Sequence, residues 1–382
     1  MTTHLQGLGV YLHWPFCTAV CPYCDFNVYA AHKNKASDAD WLTAYRAELS
    51  HAHKLRPHGQ VETVFFGGGT PSLMPAKMVA AILTHIDALW GLAAGAEISL
   101  EANPMSAPRP HLQELAAAGI TRLSLGVQAF DDSALKFLGR THNADEARGA
   151  FSAAQAIFSS ASFDLIYARP DQRVEEWQTE LDAALALGPQ HMSLYQLTLE
   201  PDTPFFARAA QGKLIPPDED SAATLYEVTQ SQCAAAGLPA YEISNHAQAG
   251  HACRHNQAIW QGGDYVGIGP GAHGRVTIDG QKHASLAEAQ PQNWLAACQA
   301  DGHGWQLQKL DDKQVSEEAI MLGLRLVEGR PLRALAEVGF TPDAARLKAL
   351  QNDGLLVARD DVLQASEKGR LLLDYIIGRL LA

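Results

Sequence analysis

A chain of 382 residues exceeds what one hydrophobic core usually supports, so a large domain with a smaller companion is expected. Apolar residues at 47% and charged residues at 19% describe an ordinary folded α/β protein and exclude a disordered one. A formal net charge of −13 without a basic stripe argues against nucleic acid as a partner, and no apolar run approaches the roughly 20 residues that span a bilayer. The N-terminal MTTHLQGLGVYLHW lacks a basic region followed by an apolar one, so a cytoplasmic location is expected. Six cysteines are too few for a disulfide scaffold in a chain of this length, and three of them fall close together.

In chain order, short apolar runs read as strands at residues 10–13, 61–66, 97–100, 123–127, 163–167 and 192–197. Between them, helical periodicity covers 41–55, 78–90, 111–118, 144–158 and 177–187. Parallel neighbours need a crossover and a helix is the usual one, so this βα alternation predicts a parallel sheet, and six units predict a partial barrel. Ligands of such folds sit beyond the carboxyl ends of the strands, where Cys17, Gly67 to Thr70, Glu101, Gln128 and Asp164 fall. The barrel is expected over 1–236. A Gly-, His- and Asn-rich stretch then runs to about residue 273, and 237–300 is expected as a connecting segment over the barrel mouth. In the remainder, 301–382, LLVARDDVLQASEKGRLLLDYIIGRLL reads as strand, Asp-Asp turn, strand and a helix capped near Ser366, so a small, mostly helical, winged-helix-like domain is expected.

Cys17, Cys21 and Cys24 form C-x3-C-x2-C just after the first strand. Three thiolates on a tight loop can each take one iron of a [4Fe-4S] cubane and leave the fourth iron open to a second ligand. Structural zinc would need a fourth ligand, such as Cys253 or a nearby His, and a disulfide would leave an odd thiol. Gly67, Gly68, Gly69 and Thr70 end a hydrophobic strand; such glycines either let backbone approach a ligand closely or make a flexible turn.

The segments YLHWPFCTAVCPYC, FFGGGTPS, SLEANP, SLGVQAF, LGRTHN and FDLIYARP, in that order, resemble the HemN-like branch of the radical SAM family over nearly the whole chain. The resemblance implies a partial (β/α)6 barrel of the TIM-like type that binds a [4Fe-4S] cluster together with S-adenosylmethionine. It implies that Tyr11 and Tyr23 flank the cluster and its ligand. Gly68, Gly69 and Thr70 would bind the methionine amino group, while Glu101, Gln128, Arg140 and Asp164 contact S-adenosylmethionine. On chemical grounds alone Arg140 can fork onto a carboxylate, and Gln128 and Asp164 can accept ribose hydroxyls. Glu101 or Asp164 could instead cap a helix, and Arg140 could pair with a surface acid.

Within the branch, the coproporphyrinogen III dehydrogenases carry a fourth cysteine two residues past the third, where this chain has Phe26, and an N-terminal extension before the barrel. CPYCDF instead resembles the heme chaperones of the HemW group, which also share an H-N-x-x-Y-W motif. Here that motif is His255-Asn256-Gln257-Ala258-Ile259-Trp260, with Ile259 in place of the tyrosine, followed by GIGPGAHG. A neutral imidazole can ligate heme iron, so His255 is the candidate axial ligand, with His273 and Cys253 behind it; the alternative is that His255 and Asn256 are polar loop residues. Two functions follow. One is a chaperone that carries heme as cargo to acceptor hemoproteins, respiratory ones included, with transient membrane association through a partner. The other is an oxygen-independent dehydrogenase converting coproporphyrinogen III to protoporphyrinogen IX. An electron donor is expected wherever the cluster is reduced.

Overall fold

The structure, a computed structural model, describes residues 7–106, 108–359 and 361–382. The start of the N-terminal segment and Asp360 of the expected Asp-Asp turn lie outside these residues.

Eleven strands make one sheet: β1 (Leu8–Trp14), β2 (Val61–Gly68), β3 (Leu92–Ala102), β4 (Arg122–Gln128), β5 (Ser160–Tyr167), β6 (His191–Gln196), β7 (Asn245–Ala247), β8 (Tyr265–Ile268), β9 (His273–Ile278), β10 (Gln281–Ala287) and β11 (Trp305–Lys309). Strands β1 to β6 are parallel and lie side by side in chain order. The crossovers carry α1 (Asp38–Leu55), α2 (Ala76–Trp90), α3 (Arg109–Ala117), α4 (Ala144–Ile157) and α5 (Val174–Leu185), which gives the expected partial (β/α)6 barrel.

Period-two alternation along each strand decides what faces where. Val10, Val64, Leu100, Leu123, Phe163 and Met192 are fully buried in one core with Trp41, Ile82, Leu112, Phe151 and Trp177 of the surrounding helices. Each such side chain contributes about 1.5–3 kcal/mol by leaving water. The intervening positions are small or polar, among them Ser99, Ser124, Ser162 and Ser193, and line the barrel interior. Helix starts are fixed by side-chain oxygens: Ser37 with Asp40 closes a capping box on α1, and Asn143 with Glu146 does so on α4.

The segment after residue 236 departs from the expectation of a loop over the mouth. It supplies β7 to β10, and β8 pairs in parallel with β1 (Val10 with Val266, Leu12 with Ile268) as a seventh parallel strand. Its glycines serve close packing: a Cβ on Gly267 would lie 2.0 Å from the His273 carbonyl oxygen, and one on Gly269 would lie 2.5 Å from that of His13. The short helix α6 (Arg254–Trp260) closes the barrel at the first residues of the strands, away from the cysteine loop. There His255 Nδ1 lies 2.9 Å from Thr63 Oγ1, and its backbone N–H donates to Glu97 Oε1 at 3.2 Å. The sheet also runs past residue 300, because β11 pairs with β10.

Beyond it, Ile320, Leu324, Leu335, Leu350, Leu363, Ile376 and Leu380 form a separate, smaller core. This part is mostly helical, with a minimal ladder of Arg330–Pro331 against Val362–Leu363. Ser366 caps its helix as expected, accepting the Gly369 N–H at 2.9 Å.

Candidate functional site

The cysteine loop leaves and returns through one short ladder, in which Phe16–Cys17 pair in parallel with Tyr29–Ala30. Inside the loop the Cys24 N–H donates to the Cys21 carbonyl at 3.2 Å. The three cysteines line a cavity of about 140 Å³ together with Tyr23, Gly68, Gly69, Thr70, Glu101, Gln128, Arg140 and Asp164. Residues up to 147 positions apart in sequence, Cys17 and Asp164, thus share one wall because every βα unit brings its strand end to the same face.

The glycine run is a close-approach surface. Gly69 N–H donates to Trp14 O at 2.7 Å and Thr70 N–H to Phe16 O at 2.9 Å, tying the end of β2 to the cysteine loop. A Cβ on Gly69 would lie 2.7 Å from Phe16 O and 3.0 Å from Cys17 Sγ. Gly68 has φ +108° and its Cβ position lies 2.6 Å from the His13 ring, so only glycine fits there.

Neither carboxylate caps a helix: the N-cap of α3 is Pro108 and that of α5 is Arg173. Glu101 accepts the Gly68 N–H at 3.2 Å; burial, and then the neighbouring Asp164, push its pKa up to about 8. Asp164 accepts from Ser124 Oγ at 3.2 Å, and burial raises it to about 6. Arg140 pairs with no surface acid. Its Nη2 donates to Gly126 O at 2.7 Å and its Nη1 to Cys21 Sγ at 3.3 Å, so the fork is directed at the cysteine loop. Gln128 follows a register break in β4 and holds φ +74°, a strained angle for a non-glycine residue that aims it into the cavity wall.

Burial raises the thiols of Cys17 and Cys24, the latter to about 11, so metal binding here must displace protons. Among the described residues no three His, Cys, Asp or Glu side chains converge on one point as a single ion requires. Three thiols distributed around a shared cavity suit a cluster in which each binds its own iron. Cys253 is no fourth zinc ligand: it lies buried at the other end of the barrel, with its Sγ 3.5 Å from Glu97 Oε1. All six cysteines are free thiols, which removes the disulfide reading.

Two expected residues lie elsewhere. Tyr11 faces the barrel interior, with its hydroxyl 3.0 Å from His13 Nδ1. His255 lines the same interior chamber, is 2% exposed and stacks on Phe65 at 5.2 Å between ring centroids. Burial pulls its pKa down to about 3, and its Nε2 has no partner. The chamber measures about 220 Å³, below the roughly 300–1,000 Å³ of pockets for drug-sized ligands. In this conformation His255 is therefore closed to a porphyrin, and Trp260 is covered by Arg325, whose guanidinium carbon lies 4.5 Å from the indole centroid. His273, by contrast, is exposed. Cavity residues the motifs did not single out include Asn103 and Gly126; Gly126 was the one glycine inside SLGVQAF, a usable signal.

Residues 11–184 match the Radical SAM superfamily and residues 310–372 match the HemN C-terminal domain. The chain is 38% identical to the heme chaperone HemW of Mycobacterium tuberculosis, covering 98% of this chain and 95% of that one. It is 35% identical to the heme chaperone HemW of Escherichia coli, covering 99% of each. The mitochondrial radical S-adenosyl methionine domain-containing protein 1 of Mus musculus is 38% identical over 98% of this chain and 87% of its own length. Among solved structures, coproporphyrinogen III oxidase (HemN) of Escherichia coli matches with a TM-score of 0.81 over 98% of this chain and 90% of that one, at 21% identity, a likeness of fold. The chain belongs to the HemW family of radical SAM proteins.

Proposed function

We propose that the chain is a heme chaperone of the cytoplasm that binds a [4Fe-4S] cluster, S-adenosylmethionine and heme, and passes the heme to acceptor hemoproteins. The observation that carries this reading is similarity to two bacterial proteins named heme chaperone HemW along almost the full length of both partners. Phe26, 61% exposed where the dehydrogenases have their fourth cysteine, supports it. The dehydrogenase alternative rests on the fold alone.

In this reading Cys17, Cys21 and Cys24 hold three irons, and the wall of Gly68, Gly69 and Thr70 receives the amino acid end of S-adenosylmethionine. Gln128 and Asp164 accept its ribose hydroxyls, Tyr23 and Glu101 line its path, and Arg140 sets the charge beside Cys21. A cluster held by these three thiolates and reduced by an electron donor would supply one-electron chemistry at the sulfonium of S-adenosylmethionine. Tyr11 acts from below by fixing His13, whose ring lies under Gly68.

Acceptors include respiratory hemoproteins. Contact with a membrane is transient and made through the acceptor or the heme, since among the described residues no helix is long and apolar enough to cross a bilayer. Heme ligation by His255 requires α6 to swing out of the barrel base; His273 needs no such motion. Heme titrated into reconstituted protein, followed by its Soret band, tests the reading. Saturable binding and transfer to an apo-hemoprotein are expected, and no saturable binding overturns it. A His255→Ala protein with intact cluster absorbance and unchanged heme affinity removes His255 as the ligand.

A further inference from the structure

The interior chamber between α6 and the cysteine cavity contains a buried arginine that no carboxylate of the described residues pairs directly. Arg122, at the start of β4, is 4% exposed. Its Nη1 donates to Ser160 Oγ at 2.9 Å and to the His251 carbonyl at 3.1 Å, while its Nη2 has no partner. Arg122 takes part in none of the ion pairs of the described residues. A charge left unpaired in such a place is costly unless something neutralises it.

Three further buried polar atoms without partners belong to the same chamber wall: Ser99 Oγ, His191 Nδ1 and His255 Nε2. A neutral imidazole has one N–H, and one tautomer of each ring turns it into the chamber as a donor. The Cys253 N–H donates to the Tyr241 oxygen at 3.3 Å, and in the tautomer where Tyr241 donates to His191 Nε2 at 3.0 Å the neutral ring carries its own proton on Nδ1. In the tautomer where Thr63 donates to His255 Nδ1 at 2.9 Å, the His255 proton likewise sits on Nε2. Burial keeps both rings neutral.

Three carboxylates surround this set without a direct ion pair to Arg122. Glu101 in the wall accepts the Gly68 N–H, and Asp164, raised by burial, feels the Arg122 charge only at longer range, which draws its pKa down against burial. Glu97 at the base accepts from the His255 N–H and the Cys253 thiol, and Asp164 at the upper end accepts from Ser124.

We propose that this chamber binds a small carboxylate anion, held by the Arg122 guanidinium with Ser99, His191 and His255 as the remaining donors. A volume of about 220 Å³ limits the ligand to a molecule smaller than a typical drug, and the free Arg122 Nη2 offers a carboxylate oxygen a charge-assisted hydrogen bond while the neighbouring neutral donors meet its second oxygen. The inference goes beyond the chaperone reading and is measured without heme.

The test is thermal unfolding of the cluster-loaded full chain with sodium acetate as the probe and sodium chloride at matched ionic strength as the comparison. A saturable rise in melting temperature with acetate alone is expected, as linkage requires for a ligand of the folded state. Arg122→Met abolishes the rise, and Ser99→Ala, which removes only the hydroxyl, weakens acetate binding about tenfold. The inference is overturned if wild type shows no acetate-specific rise, if chloride does equally well, or if both variants respond as wild type does. A failed acetate response with heme binding retained sinks this inference and leaves the chaperone reading standing.

Discussion

Replacing Gly69 with alanine puts the added methyl 2.7 Å from the Phe16 carbonyl oxygen, 2.9 Å from its carbon and 3.0 Å from Cys17 Sγ. Two of these atoms are backbone, so relief requires moving the cysteine loop itself. Overpacking of this kind costs about 1–3 kcal/mol. Stretching the Gly69–Trp14 and Thr70–Phe16 hydrogen bonds adds about 0.5–1.5 kcal/mol for each bond lost. Gly69→Ala should therefore destabilise the chain by about 2–6 kcal/mol, the upper end with both bonds lost, and lower its iron content after reconstitution, since the displaced loop carries Cys17. Gly149→Ala is the matched control: it lies within α4 with nothing within 4 Å of the new Cβ, so it should stabilise by about 0.5–1 kcal/mol. Urea unfolding gives the stabilities, and iron and acid-labile sulfide per chain give the loading. A Gly69→Ala protein that unfolds and loads as Gly149→Ala does would refute the close-approach argument.

Serine in place of Cys17, Cys21 or Cys24 should each abolish cluster absorbance, whereas Cys253→Ser should retain it; a cluster lost only with Cys253 would contradict the assignment of ligands. Glu101, raised by burial to about 8, favours the folded state below its unfolded pKa near 4.3 and loses that contribution as pH rises through 8. The stability of the cluster-free chain should accordingly fall between about pH 4.3 and 8, and Glu101→Gln should flatten the profile measured by denaturant titration; an identical slope in both proteins would exclude Glu101 as the source. Arg169→Met leaves Glu180 buried beside the Phe130 N–H without its cation, from a pair at 2.5 Å with side chains 10% and 8% exposed. A loss of about 3–5 kcal/mol is expected in the same titration, and a loss under 1 kcal/mol would show the pair to be solvated.

The six parallel strands were legible because their outward residues, such as Leu123 with Leu125 or Met192 with Leu194, make short apolar runs that helices with matching stripes must cover. The cavity wall was legible for the same reason, since its residues end those strands. β8 was hidden: four residues, YVGI, between glycine pairs, with a pairing partner more than 250 positions away. Glycine there answers to backbone contacts that exist only in the folded sheet. The polar chamber was hidden too. Ser99, Ser124, Ser162 and Ser193 alternate with buried apolar residues, and alternation alone does not say whether the polar side meets solvent or a barrel interior. His255 shows the limit of motif reading: a neutral imidazole is a competent ligand, but its position under Thr63 and Phe65 follows from packing of α6 against β2.

The central claim is that the chain carries heme rather than making its precursor. Anaerobically reconstituted protein should be given S-adenosylmethionine, a reductant and coproporphyrinogen III, with heme titrated in parallel. A shifted Soret band with no protoporphyrinogen is the predicted result; protoporphyrinogen formed together with 5′-deoxyadenosine would contradict it and restore the dehydrogenase.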